Sequence, residues 1–560
     1  MTARKSQRAP TACSSCAKRR VRCDKQIPCG TCLARGLETT CAREVVKVKG
    51  RVTRDSAKQK DPVLSYFELQ QENNRLKAEL FKPNLLIQRK STASTYPKWE
   101  NSVEMLETQT NLQHGKSAYH QKVWNRVDIQ MPSKDCSDVL LHHGFTWTSW
   151  IHFAVHLQTF ELEHESAWMN GVFLDSDTLW LAVYFGFIAM SLMFMDEDEA
   201  RKAGLPLENT PELVQNWYST ALFFLNEADF MRNPDFKTVQ AIAILIGLAK
   251  NVGDFNLQPV LQATGIRIGQ ILGMDQEPPM VSKDPVMQEI SRRVWWTLII
   301  CEWLSIPAHA PCIHEADFNV RLPLVLSDEE LTTELIDKPN TAIKRPRPVD
   351  YHNAMIFLAQ SNYRFRIQMS AIENLGGDNL LEDLVLTTDE AMANIISQLP
   401  SHLLEISGGP DQDREQYPPW VLWQQTTLSL SFLFCRMKVN RVLQHRWASS
   451  SDVLLARSKA ICLDSANTIV SMVKQHKVVL ARHRPWATTS ALFSAALTLA
   501  AEAKRLDSNA AEEYIDRIQT CFSFFEYIKD HSALAMRVLG ELRAFCAEIC
   551  CHNSEATDNK

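Results

Sequence analysis

"CSSCAKRRVRCDKQIPCGTCLARGLETTC", residues 13–41, is the stretch that decides how the chain begins. Its cysteines stand at Cys13, Cys16, Cys23, Cys29, Cys32 and Cys41, a C-x2-C-x6-C unit followed by a C-x2-C-x8-C unit. A C-x2-C pair lets two thiolates reach one metal ion from a single tight turn, and the third follows on the next short stretch. Six ligands are too few for two separate tetrahedral sites, which need eight, but they suffice if one thiolate from each half serves both metals. Soft sulfur donors in a closed set favour zinc. The competing reading, a disulfide framework, would need an oxidising compartment, yet the first dozen residues are polar and basic rather than a secretory signal. The remaining cysteines, scattered from Cys136 to Cys551 without any C-x-x-C, read as reduced and mostly buried small apolar residues.

Positive charge is concentrated around these thiols. The whole chain carries a formal −5, but residues 1–60 hold sixteen Lys/Arg against four Asp/Glu, a local +12 that leaves −17 for the other 500 residues. A basic head on an acidic body points to a polyanionic partner. Within the head, "KRRVR" places Lys18, Arg19, Arg20 and Arg22 between the second and third cysteines. Held by a metal cluster, such a turn can offer Arg to guanine O6 and N7 in the major groove of double-stranded DNA.

Residues 13–41 resemble the fungal zinc binuclear cluster, the Zn₂Cys₆ DNA-binding domain of fungal transcription factors, down to Asp24 after the third cysteine and Pro28 in the connecting loop. The resemblance implies two zinc ions per chain bridged by the first and fourth cysteines, Cys13 and Cys29, a cis peptide at Pro28, and recognition of CGG-type half-sites. Members of the family commonly place Lys four residues after the second cysteine; here that position is Arg20, and Ala17 stands where Arg is frequent. Arg20 is therefore the candidate base contact. Lys18, Arg19, Arg22, Lys25 and Arg35 are candidates for phosphate contacts that set register. The implied role is nuclear regulation of RNA polymerase II genes.

After a basic linker over 44–62, "YFELQQENNRLKAEL" carries a heptad with Tyr66, Asn73 and Leu80 at a and Leu69 and Leu76 at d. Residues 63–82 are expected to form a dimerising coiled coil, with Asn73 favouring two strands in register. A second, polar linker over 83–135 leads to a body at 136–552 and a tail at 553–560.

The body reads as all-α, so the expected fold class is mainly α: a small cluster domain, a short coiled coil and a large helical regulatory domain. Thr210 and Pro211 open one helix, "VLQATGIRIGQILGMD" stops near Gly273, and "EISRRVWWTLIICEWLSI" should bury Trp295 and Trp296. "TLWLAVYFGFIAMSLMFM", 178–195, brushes the length of a membrane span, but its flanks are acidic and it stands alone, so a buried core helix in a soluble protein is expected. "TVQAIAILIGLA", "GIRIGQILGMDQ", "RRVWWTL" and "ADFNVRLP" resemble the regulatory region of the same fungal family. That implies control of activity, sometimes through a small-molecule effector or coregulator.

No nucleophile elbow, dinucleotide or P-loop glycine pattern, or H-E-x-x-H occurs, which argues against an enzyme. His152 and His156 could share a helix face as ligands but lack a third partner at set spacing, and the acidic "DEDE" at 196–199 reads as a solvated face. The alternatives to a homodimeric DNA reader are a heterodimer partner or corepressor that binds DNA weakly alone, and an enzyme with a zinc-cluster targeting head.

Overall fold

The computed structural model describes residues 4–5, 10–44, 46–48 and 51–52, and residues 125–557 apart from short stretches at 170–172, 203, 206–208, 306–309, 338–344, 376–377, 405–416, 448–452, 475–479, 485 and 507. The chain divides into two compact units, Met1–Thr95 and Tyr96–Lys560. The expected coiled coil at 63–82, with Tyr66, Leu69, Asn73, Leu76 and Leu80, lies outside the described residues.

In the first unit each C-x2-C pair opens a short helix, α1 (Ser14–Arg19) and α2 (Gly30–Leu33). Three short strands, β1 (Arg4–Lys5), β2 (Val46–Val48) and β3 (Arg51–Val52), form a sheet in that order, β1 parallel to β2 and β2 antiparallel to β3. A linker at 44–62 does not account for this ribbon, although "VKVKGRV" alternates as a short strand pair does.

The second unit is built of helices and connecting loops, with no strand among its described residues, as expected. Its longer helices are α3 (Lys134–Trp147), α4 (Leu157–Met169), α5 (Thr178–Phe194), α6 (Thr210–Glu227), α7 (Phe236–Val252), α8 (Leu257–Ile271) and α9 (Pro285–Ser305). They continue with α10 (Pro348–Leu375), α11 (Asp378–Ser397), α12 (Trp420–Arg441), α13 (Val453–Lys474), α14 (Trp486–Ala503), α15 (Ser508–Ile528) and α16 (Ala533–Thr557).

Helix α5, the apolar run, is the centre, packed by α3, α6 and α7 and buried from Trp180 to Phe194. No helix of the described residues is long and apolar enough to cross a membrane. Its acidic flank caps it: Asp177 Oδ1 accepts the Leu179 and Trp180 backbone N–H groups, both at 2.9 Å. Gly144 of α3 is what lets α3 approach, because a Cβ there would lie 2.3 Å from the Phe187 ring. Trp295 and Trp296 are buried on α9, as read from the sequence.

The charged residues beside them are buried too, which charge alone would not suggest. Arg292 binds Glu277 (2.6 and 3.0 Å) and Glu289 (3.2 Å), while Arg293 binds Asp328 (2.8 Å) and the Leu326 carbonyl (2.6 Å). Arg292 thus holds the segment before α9, and Arg293 the loop after it, against that helix.

A second buried pair closes the C-terminus of α5. Arg482, in the one-turn segment Leu480–His483, donates to the Phe194 carbonyl and to both Glu199 oxygens at 2.9 and 3.1 Å. Arg484 donates to the Met193 and Met195 carbonyls at 3.1 and 3.2 Å. These guanidiniums satisfy carbonyls that a buried helix end would otherwise leave unpaired. Glu199, expected on a solvated face, is instead a partner in this network, and His143 Nε2 lies 3.3 Å from it.

Burial pushes the Glu199 carboxyl up, but His143, the Asp196 backbone N–H and Arg482 outweigh it and hold it at about 2. A carboxyl held below its ordinary value of 4.5 contributes stability that is complete above pH 4.5 and lost as pH falls toward about 2. Arg482→Met leaves Glu199 without its bidentate partner and should cost ~3 to 5 kcal/mol, read as a lowered urea midpoint. Arg201→Ala, which removes an exposed pair with Asp198, should stay within ~0.5 kcal/mol. Equal midpoints for the two variants would contradict the assigned role of Arg482.

Candidate metal centre and nucleic-acid interface

Local chain geometry brings the sulfurs together. Cys13 and Cys29 occupy the N-cap positions of α1 and α2, so Cys16 and Cys32 follow one turn later on the same side. Cys13, Cys16, Cys29 and Cys32 have all their sulfurs within 4.8 Å of one another. The Cys13–Cys29 and Cys13–Cys32 separations are 3.8 Å, and Cys16–Cys29 is 3.5 Å. Cys29 also groups with Cys23 and Asp24, and the Cys41 sulfur accepts the Cys29 backbone N–H at 3.2 Å. Cys29 thus sits where both groups of sulfurs meet. Five of the six cysteines are buried, with Val21, Ile27 and Leu37 packed around them as the only apolar cover among the described residues of this unit.

This donor set fits zinc. The sulfurs are unoxidised, too far apart for S–S bonds and close enough to share a cation. Burial pushes the Cys16, Cys32 and Cys41 thiols up, so those sulfurs need a cation to be held as thiolates. Burial opposes ionisation of Cys13 and Cys29 as well, but backbone N–H groups of Cys16 and Cys32 and the neighbouring thiols outweigh it, and both lie below the ordinary thiol value. The six cysteines hold two zinc ions.

Asp24 joins the halves. Its Oδ2 accepts the Gly30 backbone N–H at 2.7 Å and its Oδ1 that of Gln26 at 3.0 Å, which lowers its carboxyl below the usual range. A Cβ at Gly30 would stand 3.1 Å from that oxygen. The Ile27–Pro28 peptide is cis, as the resemblance implied. Thr31 Oγ1 donates to the Arg22 carbonyl and Arg43 to the Lys25 carbonyl, fastening the basic segment to the second half. Nothing in the neighbouring residues marks Thr31 or Arg43, because each reaches its partner only through the fold.

The basic residues do not share one helix face. Helix α1 ends at Arg19, and Arg20 is its C-cap, left-handed at φ 56°. Lys18, Arg20, Arg22, Lys25 and Arg35 are exposed. Arg19 turns inward instead: its Nε donates to the Ser15 carbonyl at 3.0 Å and its Nη2 to the Cys32 sulfur at 3.5 Å. That position departs from the phosphate role expected of it; its guanidinium partly offsets the charge of the thiolates.

In the second unit, His152 and His156 do not share a face. The one-turn helix Ser149–His152 ends at Phe153 in the left-handed region, His152 Nδ1 accepts the Ala154 N–H, and His156 bonds Thr159. Another ligand-like group, Asp138, His164 and Glu165, already holds a cation, because Lys134 Nζ lies 2.8 to 3.1 Å from the two carboxylates.

Residues 11–47 match the fungal Zn(2)-Cys(6) binuclear cluster domain, and the amino-terminal segment belongs to that family. Over 177 residues the chain is 23% identical to the aurofusarin cluster transcription factor aurR2 of Gibberella zeae, covering 30% of this chain and 24% of that protein. It is 23% identical to the transcription factor TAS2 of Pyricularia oryzae over 46% of this chain and 34% of that one. It is also 24% identical to one component of the centromere DNA-binding protein complex CBF3 of Saccharomyces cerevisiae, over 53% of this chain and 49% of the other. The chain thus spans between a quarter and a half of the length of these relatives, whose names are those of DNA-binding and transcription proteins rather than enzymes. A solved structure of the K. lactis CBF3 core aligns with 82% of this chain and 96% of its own, at a TM-score of 0.49 and 12% identity.

Atomic absorption on the purified chain should return two zinc ions per molecule, and Cys29→Ala should lower that ratio to below one. Arg19→Ala should weaken retention of zinc against a chelator, while Lys18→Ala should not. Unchanged zinc content in Cys29→Ala would remove Cys29 from the centre.

Proposed function

We propose that the chain is a zinc-dependent, sequence-specific DNA-binding regulator of transcription that works in the nucleus on RNA polymerase II genes. The observation that carries this reading is the basic segment Lys18–Lys25, with Lys18, Arg20, Arg22 and Lys25 exposed, anchored by Cys16 and Cys23 and tied to the second half through Thr31 and Arg43. Anchoring removes conformational freedom that binding would otherwise have to take away, so the side chains meet the duplex already ordered.

In this reading Cys13 and Cys29 bridge the two zincs. Arg20, where the backbone turns out of α1, enters the major groove and bonds guanine of a CGG-type half-site. Lys18, Arg22, Lys25 and Arg35 hold phosphates. Two heads joined through residues 63–82 read two half-sites, and the helical unit governs when they do so. The similarity to relatives named as transcription factors supports the regulatory role.

A second reading, a protein that needs a different partner to hold DNA, is favoured by the similarity to a protein named as part of a centromere DNA-binding complex. Selection from a random duplex pool followed by gel-shift titration separates the two. The purified chain alone should enrich CGG-containing sites. Arg20→Ala should cost ~1 to 3 kcal/mol and relax the preference at one position, whereas Lys18→Ala should weaken all sequences alike and reduce the salt slope by ~1. Failure of the zinc-loaded chain to enrich any sequence would favour the second reading.

A further inference from the structure

A cavity of about 170 Å³ lies inside the helical unit, walled by α5, α7, α9, α10, α12 and α14. One wall is aromatic. Trp150 meets Tyr351 edge to face at 4.9 Å and Trp423 at 5.0 Å, and Phe194 packs on Trp423 at 5.5 Å. An apolar cavity of ~150 Å³ is enough to hold a benzene ring, so this one has room for a single ring and a small substituent.

Most polar groups on the wall are already engaged. Thr297 Oγ1 donates to the His152 carbonyl at 2.8 Å, Asn362 Nδ2 to the Trp303 carbonyl at 2.7 Å, and Ser431 Oγ to the Thr427 carbonyl at 2.8 Å. His352 lies 3.2 Å from the Arg293 carbonyl and burial keeps it neutral. Burial likewise pushes the Cys301 thiol up to about 12. No carboxylate lines the cavity among the described residues.

Lys250 is the exception. It borders the lining without forming part of it: Gly247, one turn earlier on α7, and Trp486, whose ring centre is 4.1 Å from its Nζ, both line the space. It is 4% exposed, and no hydrogen bond or carboxylate meets its ammonium among the described residues. The charged group that does line the cavity is also a cation, Lys438, whose Nζ lies 5.2 Å from the Phe434 ring centre. Burial, helped by Lys438 and opposed by Cys301, pulls the Lys250 ammonium down to about 8. A buried cation resting on an aromatic face, with no counter-charge, is costly unless an anion joins it.

We propose that this cavity binds a small aromatic acid, its ring against Trp150, Tyr351 and Trp423 and its carboxylate on the Lys250 ammonium. The inference goes beyond the DNA reading: its test contains no DNA, so its failure would leave that reading untouched.

Calorimetric titration of the full chain with benzoate, benzyl alcohol and acetate tests it. Benzoate should bind saturably and at least ~tenfold more tightly than either comparator, the difference expected of a charge-assisted hydrogen bond in a dry site. Lys250→Met should weaken benzoate by about the same ~tenfold while leaving benzyl alcohol unchanged, and Ala487→Phe, which fills the cavity, should abolish both. No saturable benzoate binding, or benzoate no tighter than benzyl alcohol, would overturn the proposal, as would benzoate binding untouched by either substitution. Should Lys250→Met fail to fold, the contrast among the three ligands on the unaltered chain decides the matter alone.

Discussion

Sulfur charge is the constraint on which the amino-terminal unit depends. Four buried cysteine sulfurs within 4.8 Å of one another cannot all ionise without a cation among them. The segment 13–41 is too short to build a core of its own, and among the described residues only Val21, Ile27 and Leu37 pack on the cysteines. Metal ligation therefore supplies the folding energy that a core would supply elsewhere. The same charge explains the inward turn of Arg19, which commits a cation to the cluster while its neighbours stay exposed to a partner.

The helical unit solves a related problem without metal. Its central helix is so apolar that both ends are sealed by charged groups, the adjacent Asp177 at the start and the distant Arg482 and Arg484 at the finish. Arg292 does the same for the segment before α9 and Arg293 for the loop after it. In each case the planar guanidinium reaches at least two acceptors at once, carboxylates, carbonyls or both, which an ammonium could not do as well. Lys250 is the counterexample that makes the pattern visible: a buried cation given an aromatic face and no anion.

Much of this is legible in the residues themselves. The cysteine spacing announces the metal centre because ligand geometry is imposed by short stretches of chain. Asp177 and the acidic flank mark 178–195 as a capped helix rather than a span, and helical periodicity finds the body. The failures share a cause. By charge alone Arg19, Arg292, Arg293, Arg482 and Glu199 point to solvent, whereas their places depend on partners 3 to 288 residues away. The cavity is equally hidden, since six helices far apart in sequence have to meet before it exists.

The capping of α5 has a consequence for synthesis. Arg484 and the Met193 carbonyl it satisfies are 291 residues apart. At ~5 to 20 residues per second, a ribosome needs ~15 to 60 s to make that connecting chain. For that interval the most apolar of the described helices has emerged without its seal, so its hydrophobic surface has to be shielded within the nascent chain.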